Sequence, residues 1–418
     1  MSAAKAFRKP AILAAQLLAA MLGWAFIAPI ALLIPKARGS ITVIGRNGGK
    51  FCDNSKYFYL QAQNLLPAHC RCVFLTSTKA ESELLTRLDL PAQSFPSLKG
   101  AWLLLRSRLI VVDSFDWHSS MRRFLTLRAR RVQLWHGVGF KRIERDKVRN
   151  EVPDKTMTAL RLLWPVRLLT RRIIGRDVRY DLVNTTSQFY LREVFKPAFN
   201  SHHFSAVGYP RNTFGRGSLA ALLNADKHIM AKLPNWESTG KRLVVVAPTF
   251  RESRASPTGL DMATLRHIDQ WCETHNAEFI FKFHPWERGS GEVNGVHLHC
   301  HDPDADIYPL MLHACALITD YSSIYMDFIT LDRPVFFLAP DIDEYVATDR
   351  QLQFDYASMT PGPKSRDWTS MLTQIASEWG SDSYAEERKR LRELAFDNLD
   401  QDLATPKLLD IFKRNHWI

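Results

Sequence analysis

Short apolar stretches alternate with helical stretches along most of the chain, in two successive series. The apolar stretches of the first series cover residues 40–45, 72–76, 109–113, 131–135 and 182–184. Those of the second series cover residues 242–247, 279–283, 296–299, 316–319 and 335–337. Their length and composition are typical of buried strands, and the helical patterns between them are typical of parallel sheets. The pattern predicts an α/β fold with two doubly wound, Rossmann-like domains.

The two series also set the expected domain boundaries. A chain of 418 residues is long enough for two domains that each bury a core. We expect an N-terminal α/β domain over residues 40–215 and a C-terminal α/β domain over residues 216–382, with a linker near 211–240. Residues 383–418 have helical spacing without glycine, and we expect them to cross back onto the first domain. Two domains that face each other across a cleft would make a GT-B-like architecture.

An apolar segment precedes the first domain. Residues 11–35 carry no charge and are flanked by basic residues on both sides. Roughly 20 apolar residues suffice to cross a bilayer, whereas Gln16, Gly23 and Pro29 also permit a helix that lies in the membrane interface. We expect residues 1–39 to be a membrane anchor, with a buried core helix as the alternative. The pattern leaves open whether the segment spans the bilayer or lies in it.

Positive charge is concentrated in one part of the first domain. Residues 121–180 hold 17 Lys and Arg against 5 Asp and Glu, an excess of 12 that equals the formal net charge of the chain. Within them, residues 159–176 have the composition of a helix that lies on an anionic membrane surface. An ordinary amphipathic helix packed on the sheet is the alternative, and no nucleic-acid-binding module is present. The residues expected at the membrane are Trp164, Arg167, Arg171 and Arg172.

Cysteine and histidine spacing argues against a metal centre. The six cysteines are scattered without paired ligand spacing, which favours a reducing compartment such as the cytoplasm. His297, His299 and His301 alternate along one predicted strand and lack a second ligand pair with zinc spacing. No serine lies in a glycine-flanked nucleophile elbow, so a Ser-His-Asp hydrolase is also disfavoured. We expect neither a metal nor another cofactor.

Two serines follow the strand predicted at residues 316–319. Ser322 and Ser323 begin an apolar-periodic run that predicts a helix, and Asp327 stands one turn further along it. The start of a helix favours an anion, and the serine hydroxyls add hydrogen-bond donors. The pattern therefore predicts a phosphate site. Helix capping by Asp320 or by one of the serines is the alternative.

Three further residues with suitable chemistry follow predicted strands. His136 has the pKa range of a general base, and we expect the adjacent Gly137 to let the backbone turn tightly. Arg251 could bind phosphate through two parallel hydrogen bonds, and His284 closes a strand of the second domain. Ligands of such sheets collect at the carboxyl ends of the strands. Structural histidines and a surface salt bridge are the alternatives.

Five short motifs occur in a fixed order between residues 134 and 323. They are Leu-Trp-His-Gly-Val-Gly-Phe-Lys at 134–141, Val-Gly-Tyr-Pro-Arg-Asn at 207–212, Ala-Pro-Thr-Phe-Arg at 247–251, Phe-Lys-Phe-His-Pro at 281–285 and Asp-Tyr-Ser-Ser at 320–323. In this order and spacing they resemble the CDP-glycerol glycerophosphotransferase family, membrane-associated enzymes that build teichoic acids and related glycerol-phosphate capsule polymers. The resemblance runs from about residue 35 to about residue 363.

The resemblance implies both an activity and roles for the residues that carry it. The implied reaction transfers glycerol phosphate from CDP-glycerol to a hydroxyl of a membrane-linked glycan or polyol-phosphate polymer and releases CMP. His136 would activate the acceptor hydroxyl, and His284 would stabilise the donor phosphates. Because the nucleotide is made in the cytoplasm, we expect activity at the cytoplasmic face of the cell membrane. The residues expected to bind the donor and its phosphates are Arg251, Ser322, Ser323, Asp327 and Arg211.

The chain departs from the family pattern at two places. Val138, Gly139 and Phe140 stand where relatives usually have Thr-Pro-Leu, and Thr213 stands where relatives often have Asp. Both changes concern the acceptor side or the hinge rather than the donor side. The motifs leave open the acceptor, the number of units added and the choice between CDP-glycerol and another CDP-alditol. Two other functions also remain open: a GT-B glycosyltransferase that uses a nucleotide sugar, and a non-catalytic membrane-bound polymer or lipid binder.

Overall fold

The computed structural model describes residues 14–118, 121–139, 141–150, 164–175, 177–214, 216, 219–249, 260–283, 293, 295–342 and 352–418. These residues form two units. The first unit takes the chain up to His136, then Ile143–Pro210, and finally Asp400–Ile418. The second unit takes Gly137–Arg142 and Arg211–Leu399. The chain therefore enters the second unit twice and returns to the first unit at its C-terminal end.

The first unit is built on a parallel sheet of seven strands. The strands are β1 Ser40–Ile44, β2 Arg71–Thr76, β3 Ala92–Ser94, β4 Leu109–Val112, β5 Arg130–Gln133, β6 Arg179–Thr185 and β7 Asn200–Ala206. Their order is β3-β2-β1-β4-β5-β6-β7, and every neighbouring pair is parallel. The sequence pattern missed only the two edge strands. β3 has three residues, and β7 is largely polar with no fully buried position, so neither gives the apolar signal of a central strand.

The second unit repeats this design with six strands. They are β8 Arg242–Ala247, β9 Ala277–Phe281, β10 Leu298–Cys300, β11 Ala316–Thr319, β12 Val335–Leu338 and β13 Lys364–Ser365. Their order is β10-β9-β8-β11-β12-β13, again parallel throughout. Strands β8, β9 and β11 lie at the centre, and all but the first residue of β8 are buried. Two doubly wound parallel sheets confirm the predicted α/β fold class.

Helices connect the strands of both sheets. They are α1 Ala14–Leu33, α2 Arg46–Gly49, α3 Asp53–Leu65, α4 Lys79–Arg87, α5 Leu98–Arg106, α6 Arg122–Leu125, α7 Glu144–Asn150, α8 Trp164–Ile173, α9 Gln188–Tyr190, α10 Lys196–Ala198, α11 Lys227–Ser238, α12 Met262–Thr274, α13 Tyr308–Met311, α14 Ile324–Phe328, α15 Tyr356–Met359, α16 Trp368–Glu378, α17 Ala385–Phe396 and α18 Ala404–Arg414. Helix α1 is long and apolar enough to cross a membrane by length and composition.

The second unit begins at Arg211, so the stretch predicted as a linker near residues 211–240 lies within it, and its described part includes a packed helix. Helix α11 begins after Asp226, whose carboxylate accepts hydrogen bonds from the backbone N–H groups of His228 and Ile229. The helix buries Ile229, Leu233 and Trp236. A capped helix with a buried apolar face is a packed element and not a flexible connection.

The C-terminal segment predicted at residues 383–418 divides between the two units. Helix α17 belongs to the second unit, where its buried Arg388 pairs with Asp382 and Asp332. Helix α18 belongs to the first unit, and the Phe412 ring lies 6.1 Å from the Phe58 ring of α3. The first unit therefore depends on residues from both ends of the chain.

Each sheet has one point where the strand order reverses, between β1 and β4 in the first unit and between β8 and β11 in the second. The connections that leave two such neighbouring strands run to opposite faces of the sheet. A crevice therefore opens beyond their carboxyl ends, and ligands of doubly wound sheets bind there. The candidate residues can be examined at these two crevices.

Candidate active site

His136 lies at the carboxyl edge of the first sheet, three residues after the end of β5, in a part-buried loop position. Its Nδ1 is 2.8 Å from the backbone carbonyl oxygen of Asp113, the residue that follows β4. A carbonyl oxygen only accepts hydrogen bonds, so Nδ1 carries the proton of the neutral ring. The lone pair is then on Nε2, which is the tautomer that a general base requires.

The tight turn before His136 is made by Trp135 and not by Gly137, contrary to our expectation. Trp135 adopts a left-handed backbone conformation with φ of 59°, which costs about 1–3 kcal/mol for such a bulky residue. Its N–H donates to the Gln133 side chain, and its carbonyl oxygen accepts a bond from Asn54, each at 2.9 Å. Two hydrogen bonds thus hold the strained turn that sets the direction of the imidazole.

Asp113 was not singled out from the sequence, although it lies at the crevice of the first sheet. Its side chain is fully buried, and burial raises the pKa of its carboxyl to about 8, with a further contribution from Asp53. The Ser55 N–H donates to Oδ2 at 2.9 Å, while Oδ1 has no hydrogen-bond partner among the described residues. The sequence feature that could have identified Asp113 is an acidic residue directly after the apolar strand Leu-Ile-Val-Val.

The residues that follow His136 belong to the second unit and pass against the serine pair. A Cβ added at Gly137 would lie 2.9 Å from Ser323 Oγ, and one added at Gly139 would lie 3.3 Å from Ser323 Cβ. Lys141 then pairs with Leu352 in an antiparallel bridge. Gly137 is therefore required for close approach to Ser323 rather than for a left-handed turn.

The serine corner, by which we mean residues 320–323, stands at the crevice of the second sheet. Asp320 is 1 % exposed, and its carboxylate accepts bonds from the Thr249 N–H at 2.9 Å and from the Thr249 hydroxyl at 2.6 Å. Thr249 follows β8 and Asp320 follows β11, so this contact crosses the strand reversal of the sheet. The Asp320 carboxylate thereby fixes the loop after β8 beside the two serines.

The two serines themselves have partly exposed side chains. Ser323 makes no side-chain capping bond to α14, and Ser322 Oγ accepts only a long bond, 3.5 Å, from the Ile324 N–H. Capping therefore explains these residues poorly. The α-helix that follows has five residues, and one 3₁₀ turn, Ile329–Leu331, extends it. Anion binding here would rest on hydroxyl groups more than on a long helix dipole.

Arg211 and Asp327 form a buried ion pair, which corrects their predicted role as donor-contacting residues. Each side chain is 1 % exposed, and the guanidinium donates to both carboxylate oxygens at 3.1 and 2.8 Å. Asn212 and the Tyr308 hydroxyl also donate to the Asp327 carboxylate. A ligand has no surface of either side chain to contact. The pair instead fastens the start of the second unit to the helix behind the serine corner.

Arg251 and His284 lie outside the described residues, so their predicted roles stay predictions.

The histidines on β10 and beside it form hydrogen bonds to a buried carboxylate of the second unit. His297 and His299 both bond the buried Glu278 carboxylate, at 3.0 and 2.7 Å. Burial would raise the pKa of Glu278, but hydrogen bonds from His299, His297 and Lys241 lower it to about 2.

The arginines predicted to face a membrane are partly committed to ion pairs. Arg171 is 18 % exposed and bonds Glu144, while Arg172 is half exposed and bonds Asp177. The side chains of Trp164 and Arg167 lie outside the described part of helix α8. The membrane role of these four residues stays a prediction, and for Arg171 an ion pair within the protein competes with it.

Two doubly wound α/β units, with a candidate base after a strand of one sheet and a hydroxyl pair at the crevice of the other, are the arrangement expected of a transferase of GT-B-like architecture. A family model described as CDP-Glycerol:Poly(glycerophosphate) glycerophosphotransferase matches residues 26–410. The chain belongs to this family, which confirms the resemblance found in the motifs, and it is an enzyme of the glycerophosphotransferase class.

Curated relatives and solved structures are consistent with this assignment. The chain is 24 % identical to the teichoic acid poly(glycerol phosphate) polymerase of Bacillus spizizenii, over 79 % of this chain and 81 % of that protein. It is 22 % identical to the teichoic acid glycerol-phosphate primase of Bacillus subtilis, over 66 % and 67 % of the two chains. Two further relatives, the teichoic acid poly(glycerol phosphate) polymerases of Staphylococcus epidermidis and Bacillus subtilis, are longer, and the chain matches 34 and 42 % of their length.

The fold is that of a solved structure of the wall teichoic acid polymerase TagF. That structure aligns with a TM-score of 0.69 at 18 % identity and covers 100 % of this chain and 98 % of its own. At this level of identity the likeness establishes the shared architecture, and it confirms the GT-B-like fold predicted from the two strand series.

Proposed function

We propose that this enzyme transfers glycerol phosphate from CDP-glycerol to a hydroxyl of a membrane-linked glycan or polyol-phosphate polymer, with His136 as the base. The observation that carries the proposal is the bond from Nδ1 of His136 to the Asp113 carbonyl oxygen, 2.8 Å long. This bond leaves the basic lone pair on Nε2, the opposite ring nitrogen. The second support is that the chain belongs to the glycerophosphotransferase family.

The reaction has three linked changes. The acceptor oxygen attacks the phosphorus that carries glycerol and forms a new P–O bond. The bond between that phosphorus and the bridging oxygen breaks, and CMP leaves with the electron pair. Nε2 of His136 takes the proton of the acceptor hydroxyl.

The donor phosphates would be held by the serine corner. Ser322 and Ser323 offer partly exposed hydroxyls, and Asp320 fixes the loop that leads to Arg251. Arg251 and His284 would add positive charge to the diphosphate, as the family motifs imply. The acceptor would lie on the side of His136.

A donor panel tests the proposal. The protein, with membranes as the source of acceptor, is incubated with radiolabelled CDP-glycerol and separately with UDP-sugars and CMP-sugars. We expect CMP release and transfer of label to polymer with CDP-glycerol alone. Turnover of a nucleotide sugar alone would identify a glycosyltransferase, and no turnover of any donor would identify a binding protein. Either result would overturn the proposal.

A further inference from the structure

A glycine-rich loop follows β1 at the strand reversal of the first sheet. This glycine loop, residues 45–49, contains α2 and has the sequence Gly-Arg-Asn-Gly-Gly. The backbone φ angles of Asn47, Gly48 and Gly49 are 51°, 79° and 135°, all in the left-handed region. A Cβ added at Gly49 would lie 2.6 Å from a backbone carbonyl oxygen of β2. The glycine loop is therefore closely packed, and it fixes the position of its one charged residue, Arg46.

The start of helix α3, which follows this loop, is already occupied by carboxylates. A glycine-rich turn after the first strand of a doubly wound sheet commonly places a phosphate at the start of the next helix. Here the Asn54 N–H donates to the Asp53 carboxylate at 2.8 Å, and the Ser55 N–H donates to Asp113 at 2.9 Å. An anion in this crevice therefore needs a side chain that carries positive charge.

Arg46 supplies that charge. Its Nη1 donates to Oδ2 of Asp53 at 2.9 Å, and its side chain is 41 % exposed, whereas that of Asp53 is 6 % exposed. The pair differs from Arg211–Asp327, in which both side chains are 1 % exposed. A guanidinium has five N–H donors, so the bond to Asp53 holds one side of Arg46 and leaves other N–H groups for a ligand. Two parallel hydrogen bonds from a guanidinium are a common way to bind a phosphate.

Hydrogen bonds relate Arg46 to the candidate base His136 within the first unit. The side chain of Asn54, the neighbour of Asp53, donates to the carbonyl oxygen of Trp135, directly before His136, at 2.9 Å. Strands β1 and β5 lie on the two sides of β4. Because neighbouring strands are about 4.8 Å apart, the ends of β1 and β5 are about 10 Å apart. The two side chains and one glycerol phosphate unit suffice to bridge this distance.

The two acids of this crevice do not oppose a phosphate. Burial raises the pKa of the Asp113 carboxyl to about 8, so this group is mostly uncharged at neutral pH. The negative charge of Asp53 is balanced by Arg46. A phosphodiester at the exposed side of Arg46 therefore meets no uncompensated negative charge from these two acids.

We propose that Arg46 binds the phosphodiester next to the terminal hydroxyl of the acceptor, and that the enzyme thereby selects acceptors that already carry a polyol phosphate over glycans without phosphate. This selection rests on the function proposed above, in which His136 activates the acceptor hydroxyl. A terminal unit whose phosphate is bound at Arg46 presents its free hydroxyl to Nε2 of His136.

Two matched synthetic acceptors test the selection. Both carry the same short glycan on a lipid chain, and one of them also carries a single glycerol phosphate unit. With the purified full-length protein and CDP-glycerol, we expect kcat/KM to be at least about tenfold higher for the phosphate-bearing acceptor, because the bare glycan lacks the charge-assisted hydrogen bonds to Arg46. Equal kcat/KM values would overturn the selection. CMP release with neither acceptor would contradict the proposed function itself, and the selection with it.

Substitution of Arg46 tests whether this residue makes the selection. We define the acceptor ratio as kcat/KM for the phosphate-bearing acceptor divided by kcat/KM for the bare glycan. In Arg46→Gln the acceptor ratio should fall at least about tenfold, mainly through a higher KM for the phosphate-bearing acceptor. Arg46→Lys should retain part of the ratio, because it keeps the charge without the planar fork. Arg46→Gln combined with Asp53→Asn leaves no buried carboxylate without its partner, and it should lose the ratio to the same extent.

Arg130→Gln is the matched control. Arg130 pairs with Asp181 at 2.7 Å and is 55 % exposed, but it begins β5 and so lies at the opposite edge of the same sheet. We expect Arg130→Gln to keep the wild-type acceptor ratio. A wild-type ratio in both Arg46→Gln and the double variant would overturn the role of Arg46, even if the two acceptors were used equally more slowly.

Discussion

Asp113 affects the candidate site through two different groups. Its backbone carbonyl fixes the tautomer of His136, and its side chain is a buried carboxyl whose pKa is raised to about 8. Sequence reasoning found His136, because a histidine after a strand is conspicuous and the family motif contains it. It missed Asp113, because the partner atom belongs to the backbone and no residue type encodes it.

The raised pKa of Asp113 predicts a pH dependence of stability. Between about pH 4 and pH 8 the folded protein holds a proton that the unfolded chain has released, so the free energy of unfolding falls as the pH rises. Asp113→Asn removes this titration. We expect the melting temperature of the wild type relative to Asp113→Asn to fall steadily from pH 5 to pH 8. A difference that is constant over this range would show that the carboxyl has an ordinary pKa.

The loops at the strand reversals are the elements that carry the site. Asp113, in the loop after β4, contacts His136, and Asp320 accepts a hydrogen bond from Thr249 in the loop after β8. The segment after His136 passes against Ser323. The sequence predicted that the strands end at these places, and the structure adds which loops touch. The last two contacts join positions more than seventy residues apart, and periodicity carries no information about them.

Gly137→Ala tests the contact between two of these elements. The added methyl group would lie 2.9 Å from Ser323 Oγ, so the loop or the serine must move. We expect at least about a tenfold loss of the rate of glycerol phosphate transfer with little change in melting temperature, because catalysis is sensitive to displacements near 1 Å. Gly380→Ala is the control, since a Cβ there meets nothing within 4 Å. Equal activity of the two variants would show that transfer does not require the close approach of Gly137 to Ser323.

The buried pair Arg211–Asp327 predicts a stability effect on the helix behind the serine corner. Asp327→Ala leaves a buried guanidinium without its carboxylate, and we expect a loss of about 3–5 kcal/mol in the unfolding free energy of the second unit. Glu386→Ala, which removes an exposed partner of Lys389, should cost less than about 1 kcal/mol. Denaturant unfolding measures both. A small effect of Asp327→Ala together with weaker donor binding would instead restore its predicted ligand role.

At the scale of the whole molecule, the two strand series were sufficient to predict the fold class. Continuous apolar strands such as Val-Val-Val in β8 are typical of the centre of a parallel sheet covered on both faces. The path of the chain between the units was harder to predict. Residues 137–142 and 400–418 each join a unit formed mainly by distant residues. The local composition of such a segment does not indicate which unit it joins.

His136 is the residue on which the proposed transfer depends most. His136→Asn keeps an N–H group that can donate to the Asp113 carbonyl oxygen but removes the basic nitrogen. Transfer from radiolabelled CDP-glycerol to membrane acceptor should fall at least about a hundredfold, whereas the Kd of CDP-glycerol, measured by calorimetry, should change less than about twofold. A variant that retains more than about a tenth of wild-type transfer would contradict the assignment of His136 as the catalytic base.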